Sequence, residues 1–367
     1  MSKIIRIAID ARYWRGSIQT GIERYLHLLL EALAATGRDD LSVGVVLKEH
    51  EAAAFRSTYQ EQLHLTTLTV PDRRQISLDR VLARFAPQVV HFPFELPAHL
   101  TYPSVFTLHD AGRYLFPDQM VREVREVQND RLLRHLAGPN LHAVITVSEA
   151  ARDDIVTALG DLPRPLEVVP NFVSEGFTEL LRETAPDPVN DTPFLFGVGV
   201  YMPTKNVPRL CRAYRMAREM AGDLVPARLL LAGRRGWERS LPSQKDPSIK
   251  VLGHVDDEHL AWLYRNTEAF IFPPLFEGFG IPAQEALQAG CRLLCSDIPP
   301  LREVTGGLGI FVDPHDDASL AKGIIETCTT AAPRPQDVRN ALADYSAVVI
   351  GPQLLDVYRR AAVAATD

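Results

Sequence analysis

Two series of short apolar runs, each run leading into a loop and then an amphipathic helix pattern, constrain this 367-residue chain more than any single motif does. The first series opens with Ile4 to Ile9, ending at Asp10. A polar stretch from Ala11 to Thr20 follows, then a helical pattern from Gly21 with Leu26, Leu29, Leu30 and Leu33 on one face. Val43–Leu47, Val89–Phe92, Ser104–Leu108 and Ala143–Val147 read as further strands, with helices over Leu78–Phe85 and Ala150–Leu159, the latter capped by Ser148. The second series runs from the strand Phe194–Val200 and the helix Pro208–Met220 through strands at Arg228–Ala232, Lys250–Leu252, Ala269–Phe272 and Arg292–Cys295. Its later helices lie at Glu258–Arg265 and Ala283–Ala289. Strand and helix alternating at this spacing predict an α/β protein with mostly parallel sheets. The series are parted by a Pro/Asp-rich stretch, Ala185 to Asp191, that reads as a linker.

The predicted architecture is therefore two Rossmann-like doubly wound domains facing across a cleft. The expected bounds are 1–172, a linker at 173–193, a second domain at 194–348, and a C-terminal segment 349–367. The helix Leu354–Ala364 in that last segment is long enough to return to the first domain. Ligands of such sheets sit at the carboxyl ends of the strands.

Composition excludes several classes. No apolar run approaches the roughly 20 residues that span a bilayer. The first residues lack a signal peptide's apolar stretch, so a cytoplasmic location is expected. A net charge of −7 argues against a nucleic-acid partner. Cys211, Cys291, Cys295 and Cys328 match no zinc or redox spacing and read as buried free thiols. The helix 121–136 mixes Arg122, Arg125, Arg131 and Arg134 with Leu132 and Leu133, which would suit peripheral membrane contact. Its interleaved Glu123, Glu126 and Asp130 favour an ordinary solvated helix.

The chemistry concentrates in 272–290. An apolar strand ends at Pro273-Pro274. Glu277-Gly278-Phe279-Gly280 forms a turn whose glycines let backbone approach a ligand, and Ile281-Pro282 opens a helix with Glu285 one turn inside. The free N–H groups and positive dipole of that helix start suit a diphosphate or polar sugar. Glu277 and Glu285 can both accept from vicinal hydroxyls of sugar or ribose; equally, they can be acidic residues placed for the helix dipole.

The run Phe276-Glu277-Gly278-Phe279-Gly280-Ile281-Pro282, with Glu285-Ala286-Leu287 and Gly290, closely resembles family 4 retaining glycosyltransferases of the GT-B fold. Ordered matches extend over most of the chain. They include Thr20 to Arg24, His109-Asp110, Val147-Ser148-Glu149, Gly199 with Lys205-Asn206, Leu230 to Gly233, Leu252 to Glu258, and Phe311 to Pro314.

The resemblance implies that Glu277 contacts hydroxyls of the donor sugar and Glu285 holds the nucleotide ribose. Gly278, Phe279, Gly280 and Ile281 would line the sugar and phosphates with backbone, and Lys205 would neutralise the leaving diphosphate. It sets Gly21 in a loop near the diphosphate and acceptor, and His109 beside the donor sugar with Asp110 orienting its imidazole. Val255 would touch the base and Asp256 or Asp257 accept from it, as guanine would allow; the same acidic residues also fit a helix cap and first turn. The family's arginine before the lysine is missing from Val200 to Thr204; either Thr204 and backbone N–H groups suffice, or Arg234 or Arg235 substitutes.

The implied reaction is retention of anomeric configuration without a metal ion, and no Asp-x-Asp follows an apolar strand here. No cofactor is expected beyond the nucleotide-diphosphate sugar itself. Overall similarity points to mannosyltransferase-like members, hence GDP-mannose as donor and a glycan or lipid-linked glycan as acceptor in surface polysaccharide assembly. A UDP-sugar, another GDP-sugar, or a non-catalytic sugar-nucleotide-binding protein are the alternatives.

Overall fold

The computed structural model describes residues 4–15, 21–37, 39–59, 65–71, 78–117, 122–182, 193–234 and 246–364, with side chains described throughout except at 122–124. Thr20, Arg235 and the stretch 185–191 lie outside these residues, as do the side chains of Arg122 and Glu123. Two units emerge, Met1–Asn171 with Tyr345–Asp367, and Phe172–Asp344.

The first unit is built on seven parallel strands: β1 (Ile5–Asp10), β2 (Leu41–Lys48), β3 (Leu65–Val70), β4 (Val89–Phe92), β5 (Ser104–Thr107), β6 (Leu141–Thr146) and β7 (Leu166–Val168). Their order is β3-β2-β1-β4-β5-β6-β7, so the winding reverses between β1 and β4. The central strands β4 and β5 are buried at every position, as a parallel sheet covered on both faces requires. β3 and β7 lie at the sheet edges. Their sequences, Leu-Thr-Thr-Leu-Thr-Val and Leu-Glu-Val, carry too few apolar residues to show as strands in the sequence.

The helix α1 (Gly21–Ala35) buries Leu26, Leu29, Leu30 and Leu33, the stripe expected from spacing, and Tyr25 beside them. Each such leucine contributes roughly 1.5–3 kcal/mol by leaving water. α2 (Ala52–Tyr59) carries no strong sequence signal, while α3 (Leu78–Phe85) has the bounds expected. α4 (Gly112–Leu115) is one turn; α5 (Arg122–Ala137) and α6 (Glu149–Leu159) complete this part. Ser148 caps α6 by accepting from Ala151 N–H at 2.9 Å. On α5, Leu132 and Leu136 are buried while Leu133 is exposed. Arg134 pairs with Asp130, and Arg131 donates to Leu96 O at 3.4 Å, so two of the arginines are engaged within the unit itself.

The segment read as a linker from 173 onward is in part a helix, α7 (Glu175–Arg182), which belongs to the second unit. Phe177 and Leu181, four apart, are its buried face, and Thr178 Oγ1 bonds Gln288 Oε1 at 2.8 Å. Two turns are too short to show a helical period beside the Pro/Asp-rich stretch that follows.

The second unit carries six parallel strands, β8 (Phe194–Val198), β9 (Arg228–Ala232), β10 (Ile249–Gly253), β11 (Ala269–Phe272), β12 (Leu293–Ser296) and β13 (Ile310–Val312). The order β10-β9-β8-β11-β12-β13 again reverses once, between β8 and β11. Its helices are α8 (Val207–Ala221), α9 (Asp257–Asn266), α10 (Ile281–Gln288), α11 (Pro299–Val304), α12 (Asp317–Thr329) and α13 (Pro335–Ala341). The core gathers Leu195, Tyr214, Leu229, Ile271, Leu294 and Ile324 beneath α8 and α12. Cys211, Cys291 and Cys295 are buried free thiols, and Cys328 is half-buried.

The last helix, α14 (Ala347–Ala364), is part of the first unit. It starts at Ala347, before the expected Leu354, and accommodates Pro352 in its second turn. Gly351 explains its close seat on α1: a Cβ there would lie 2.1 Å from Ala32 O. Among the described residues no helix is long and apolar enough to cross a membrane.

Candidate active site

In an open α/β sheet the crevice opens at the carboxyl ends of the two strands where the winding reverses. In the second unit these are β8 and β11, and the loops that follow them hold most of the residues singled out by sequence. After β8, Gly199 (φ +153°) donates to Ala232 O at 3.1 Å, Tyr201 N–H donates to Arg234 O at 2.9 Å, and Gly233 donates to Gly253 O at 2.7 Å. The ends of β8, β9 and β10 are thereby tied together. A 3-10 turn, Pro203–Lys205, leads to Asn206 in the left-handed region (φ 59°), which asparagine tolerates. Its side-chain amide donates to Pro273 O (3.0 Å) and Pro314 O (2.8 Å), joining the loops after β11 and β13.

The turn delivers Lys205 to a defined place. Its ammonium lies over the Phe272 ring, 5.7 Å from the centroid, and pairs with Glu277. Both side chains are largely covered but keep some surface in contact with solvent, Lys205 at 23% and Glu277 at 12% exposed. The sequence assigns these residues separate roles; the fold puts them in contact.

The turn after β11 is held by Leu275 N–H donating to Thr204 O at 2.7 Å. It ends at Gly280, whose φ of +104° disfavours other residues and whose Cβ would lie 2.4 Å from Leu301 Cδ2. α10 then starts at Ile281 with Pro282 in its first turn, while Gly278 and Phe279 in the turn before it are both buried. Glu285 is 2% exposed, and its Oε2 accepts from the Tyr264 hydroxyl of α9 at 2.9 Å. This partner of Glu285 is one that the sequence does not reveal, since nothing along the chain links Tyr264 to a carboxylate on another helix.

The residues expected beside the base follow β10, two strands or about 10 Å from β8. Asp256 is the N-cap of α9, accepting from His259 N–H at 2.8 Å, and Asp257 is the first residue of that helix. Val255 and Asp257 are half-buried beside it. For the missing arginine, Arg234 contributes its carbonyl to Tyr201; Arg235 lies outside the described residues.

In the first unit, His109 follows β5. Its Nε2 lies 2.8 Å from Pro93 O, an acceptor only, so Nε2 carries the proton and Nδ1 the lone pair. Burial holds the imidazole below its ordinary pKa, against an opposing effect of the Pro93 bond. Asp110 does not orient this ring: its Oδ1 accepts from Gly112 N–H at 2.7 Å and starts α4. Gly21 opens α1 in an exposed position, without a positive φ, and a Cβ there would meet nothing within 4 Å, so backbone conformation does not demand glycine.

Beneath His109, burial pushes His91 down to about 3. Its folded pKa lies below the unfolded value near 6.5, so the unfolded chain binds a proton that the native state refuses. His91 thus stabilises the neutral protein, and that contribution is lost as pH falls from about 6.5 toward 3, by up to about 1.4 kcal/mol per pH unit. The melting temperature of the wild type should fall more steeply over this window than that of His91→Gln; parallel curves would refute it.

Among the described residues no group of three or more His, Cys, Asp or Glu side chains is disposed to hold a metal ion. Among the described residues, the loops after β8 and β11 carry the Lys205 ammonium, the Glu277 carboxylate and the start of α10.

Residues 183–344 match the family described as glycosyl transferases group 1, and residues 19–176 match Glycosyltransferase Family 4. The chain belongs to the family 4 glycosyltransferases. The O-antigen chain mannosyltransferase B of Escherichia coli is 27% identical to this family 4 chain, over 67% of the chain and 66% of that enzyme. The phosphatidyl-myo-inositol mannosyltransferase of Mycobacterium leprae is 30% identical over 59% of each. The chain thus spans about two thirds or less of these relatives' length. Sucrose-phosphate synthase of Thermosynechococcus elongatus superposes with a TM-score of 0.69 at 19% identity, covering 97% of this chain and 98% of that one, and the fold is GT-B.

Proposed function

We propose that this chain is a retaining glycosyltransferase that moves mannose from GDP-mannose to a glycan or lipid-linked glycan acceptor in surface polysaccharide assembly. The observation that carries the reading is the Lys205–Glu277 pair at the point where the second sheet's winding reverses, beside the start of α10. A cation for a diphosphate and a carboxylate for sugar hydroxyls belong side by side, because the donor's phosphate is bonded to its sugar. The choice of mannose draws on the activities for which the E. coli and M. leprae relatives are named.

On this reading Lys205, the N–H groups at the start of α10 and the backbone of Gly278 to Ile281 meet the charge that develops on the diphosphate. Glu277 accepts from donor-sugar hydroxyls. The Glu285 carboxylate, oriented by Tyr264, accepts from the ribose, and Val255 with Asp257 border the base. Neutral His109 offers Nδ1 to a hydroxyl near the reacting carbon, and Gly21 leaves room for the acceptor. The bond from the anomeric carbon to phosphate breaks with its electron pair leaving on the phosphate. The acceptor oxygen bonds to the same face of that carbon, and its proton passes to the departing phosphate.

A thermal-shift panel of GDP, UDP and ADP tests the donor. GDP should raise the melting temperature most, and a panel in which no nucleotide raises it would end the donor-site reading. Glu285→Ala should weaken GDP by about tenfold or more, the worth of a charged hydrogen bond. Unchanged affinity would remove the ribose assignment.

A further inference from the structure

A line of buried polar side chains in the first unit is left unused by the chemistry above. The Tyr358 hydroxyl on α14 lies 2.7 Å from His91 Nδ1; His91 Nε2 lies 2.7 Å from Thr107 Oγ1; Thr107 Oγ1 lies 2.9 Å from the Tyr25 hydroxyl. None of the four residues is more than 4% exposed. The Tyr25 ring then meets the His109 imidazole edge-on, with centroids 4.6 Å apart and planes at 87°. A core needs no such chain, since four apolar side chains would fill the space without polar atoms to satisfy. Kept neutral, His91 has one donor and one acceptor nitrogen, so it can join two hydroxyls and hold each at a fixed angle.

The same helix grips the other side of this assembly. Gly351 and Tyr358 are seven residues apart, two turns along one face. Gly351 seats α14 against Ala32 of α1, the helix that carries Tyr25. The ring packed on His109 is therefore held from two directions by one helix.

We propose that Tyr358, on the C-terminal helix, is a positioning residue for His109, acting through His91, Thr107 and Tyr25. The proposal rests on the reading of His109 as the group beside the donor sugar. Its test uses the full chain. Tyr358→Phe keeps the ring and removes the hydroxyl; Thr107→Val breaks the line in the middle, and Thr107→Ser restores it. The side-chain nitrogen resonances of His109, assigned with His109→Gln, report ring position directly. Turnover and GDP affinity report its consequence.

Tyr358→Phe and Thr107→Val should each shift the His109 resonances and lower kcat by about tenfold, with KM for the donor and GDP affinity unchanged, because misplacement acts on the reacting geometry. Thr107→Ser should restore both. In a His109→Gln background, Tyr358→Phe should cost less than about a further twofold. Unshifted His109 resonances in the folded variants, or a full additional loss in that background, would overturn the proposal. If Tyr358→Phe does not fold, the Thr107 pair decides by the same criteria. A wild type that moves no sugar from any nucleotide would defeat the functional reading alone, and the His109 resonances would still judge the positioning.

Discussion

Glu277→Gln is expected to lower sugar transfer by about a hundred- to a thousandfold in kcat while GDP affinity is retained or slightly improved. The reason lies in the pair it breaks. The Glu277 carboxylate holds the Lys205 ammonium. A diphosphate must draw Lys205 away from that carboxylate. Glutamine keeps the shape, drops the charge, and leaves the ammonium unopposed for the anion. What it removes is a charged acceptor for sugar hydroxyls, and hydrogen bonds to a charged group are roughly twice as strong as neutral ones. Calorimetry with GDP beside turnover with GDP-mannose separates the two effects. Parallel loss of GDP affinity would mean that Glu277 serves the nucleotide, and retained turnover would remove it from the sugar.

Gly233→Ala should have the largest effect on stability. Its Cβ would lie 1.8 Å from Gly199 O, a backbone atom, and its φ is +135°. Neither can relax without parting the ends of β8 and β9, which are joined by Gly199 N–H donating to Ala232 O. A loss of about 4 kcal/mol or more follows. For a unit of this size that corresponds to a melting temperature roughly 10 °C lower or more. Gly222→Ala is the milder comparison: its φ of +55° with ψ of −124° favours glycine, but nothing lies within 4 Å, so only backbone strain is at stake, about 1–3 kcal/mol. Equal melting temperatures for the two variants would contradict the close approach. The Gly199 loop leads to Lys205, so any Gly233→Ala protein that folds should also bind GDP less well.

Legibility in the sequence followed the range of the interaction. The turn from Glu277 to Gly280, Pro282 at the helix start and the apolar stripe of α1 stand within a few residues of one another. Left-handed φ, helix capping and helical period are local properties, so residue order reveals them. Edge strand β3 and the two-turn helix α7 escaped because their signals are diluted by threonine or cut short by a following proline-rich stretch. Asp110 and Asp256 show a subtler limit. Each sits where a carboxylate could serve a site, yet each accepts from a nearby backbone N–H instead, and only the local geometry tells these uses apart.

The sequence by itself determined that this is an α/β chain with two strand–helix series, that 276–285 is a glycine turn opening a helix, and which family its motifs resemble. The tertiary structure alone decided the partnerships. Lys205 meets Glu277 across 72 residues, and Tyr358 meets His91 across 267. Such contacts arise where strand order reverses and where a helix packs closely enough to touch backbone. A parallel sheet joins strands that are distant in sequence, and no periodicity along the chain records which side chains its winding will bring together.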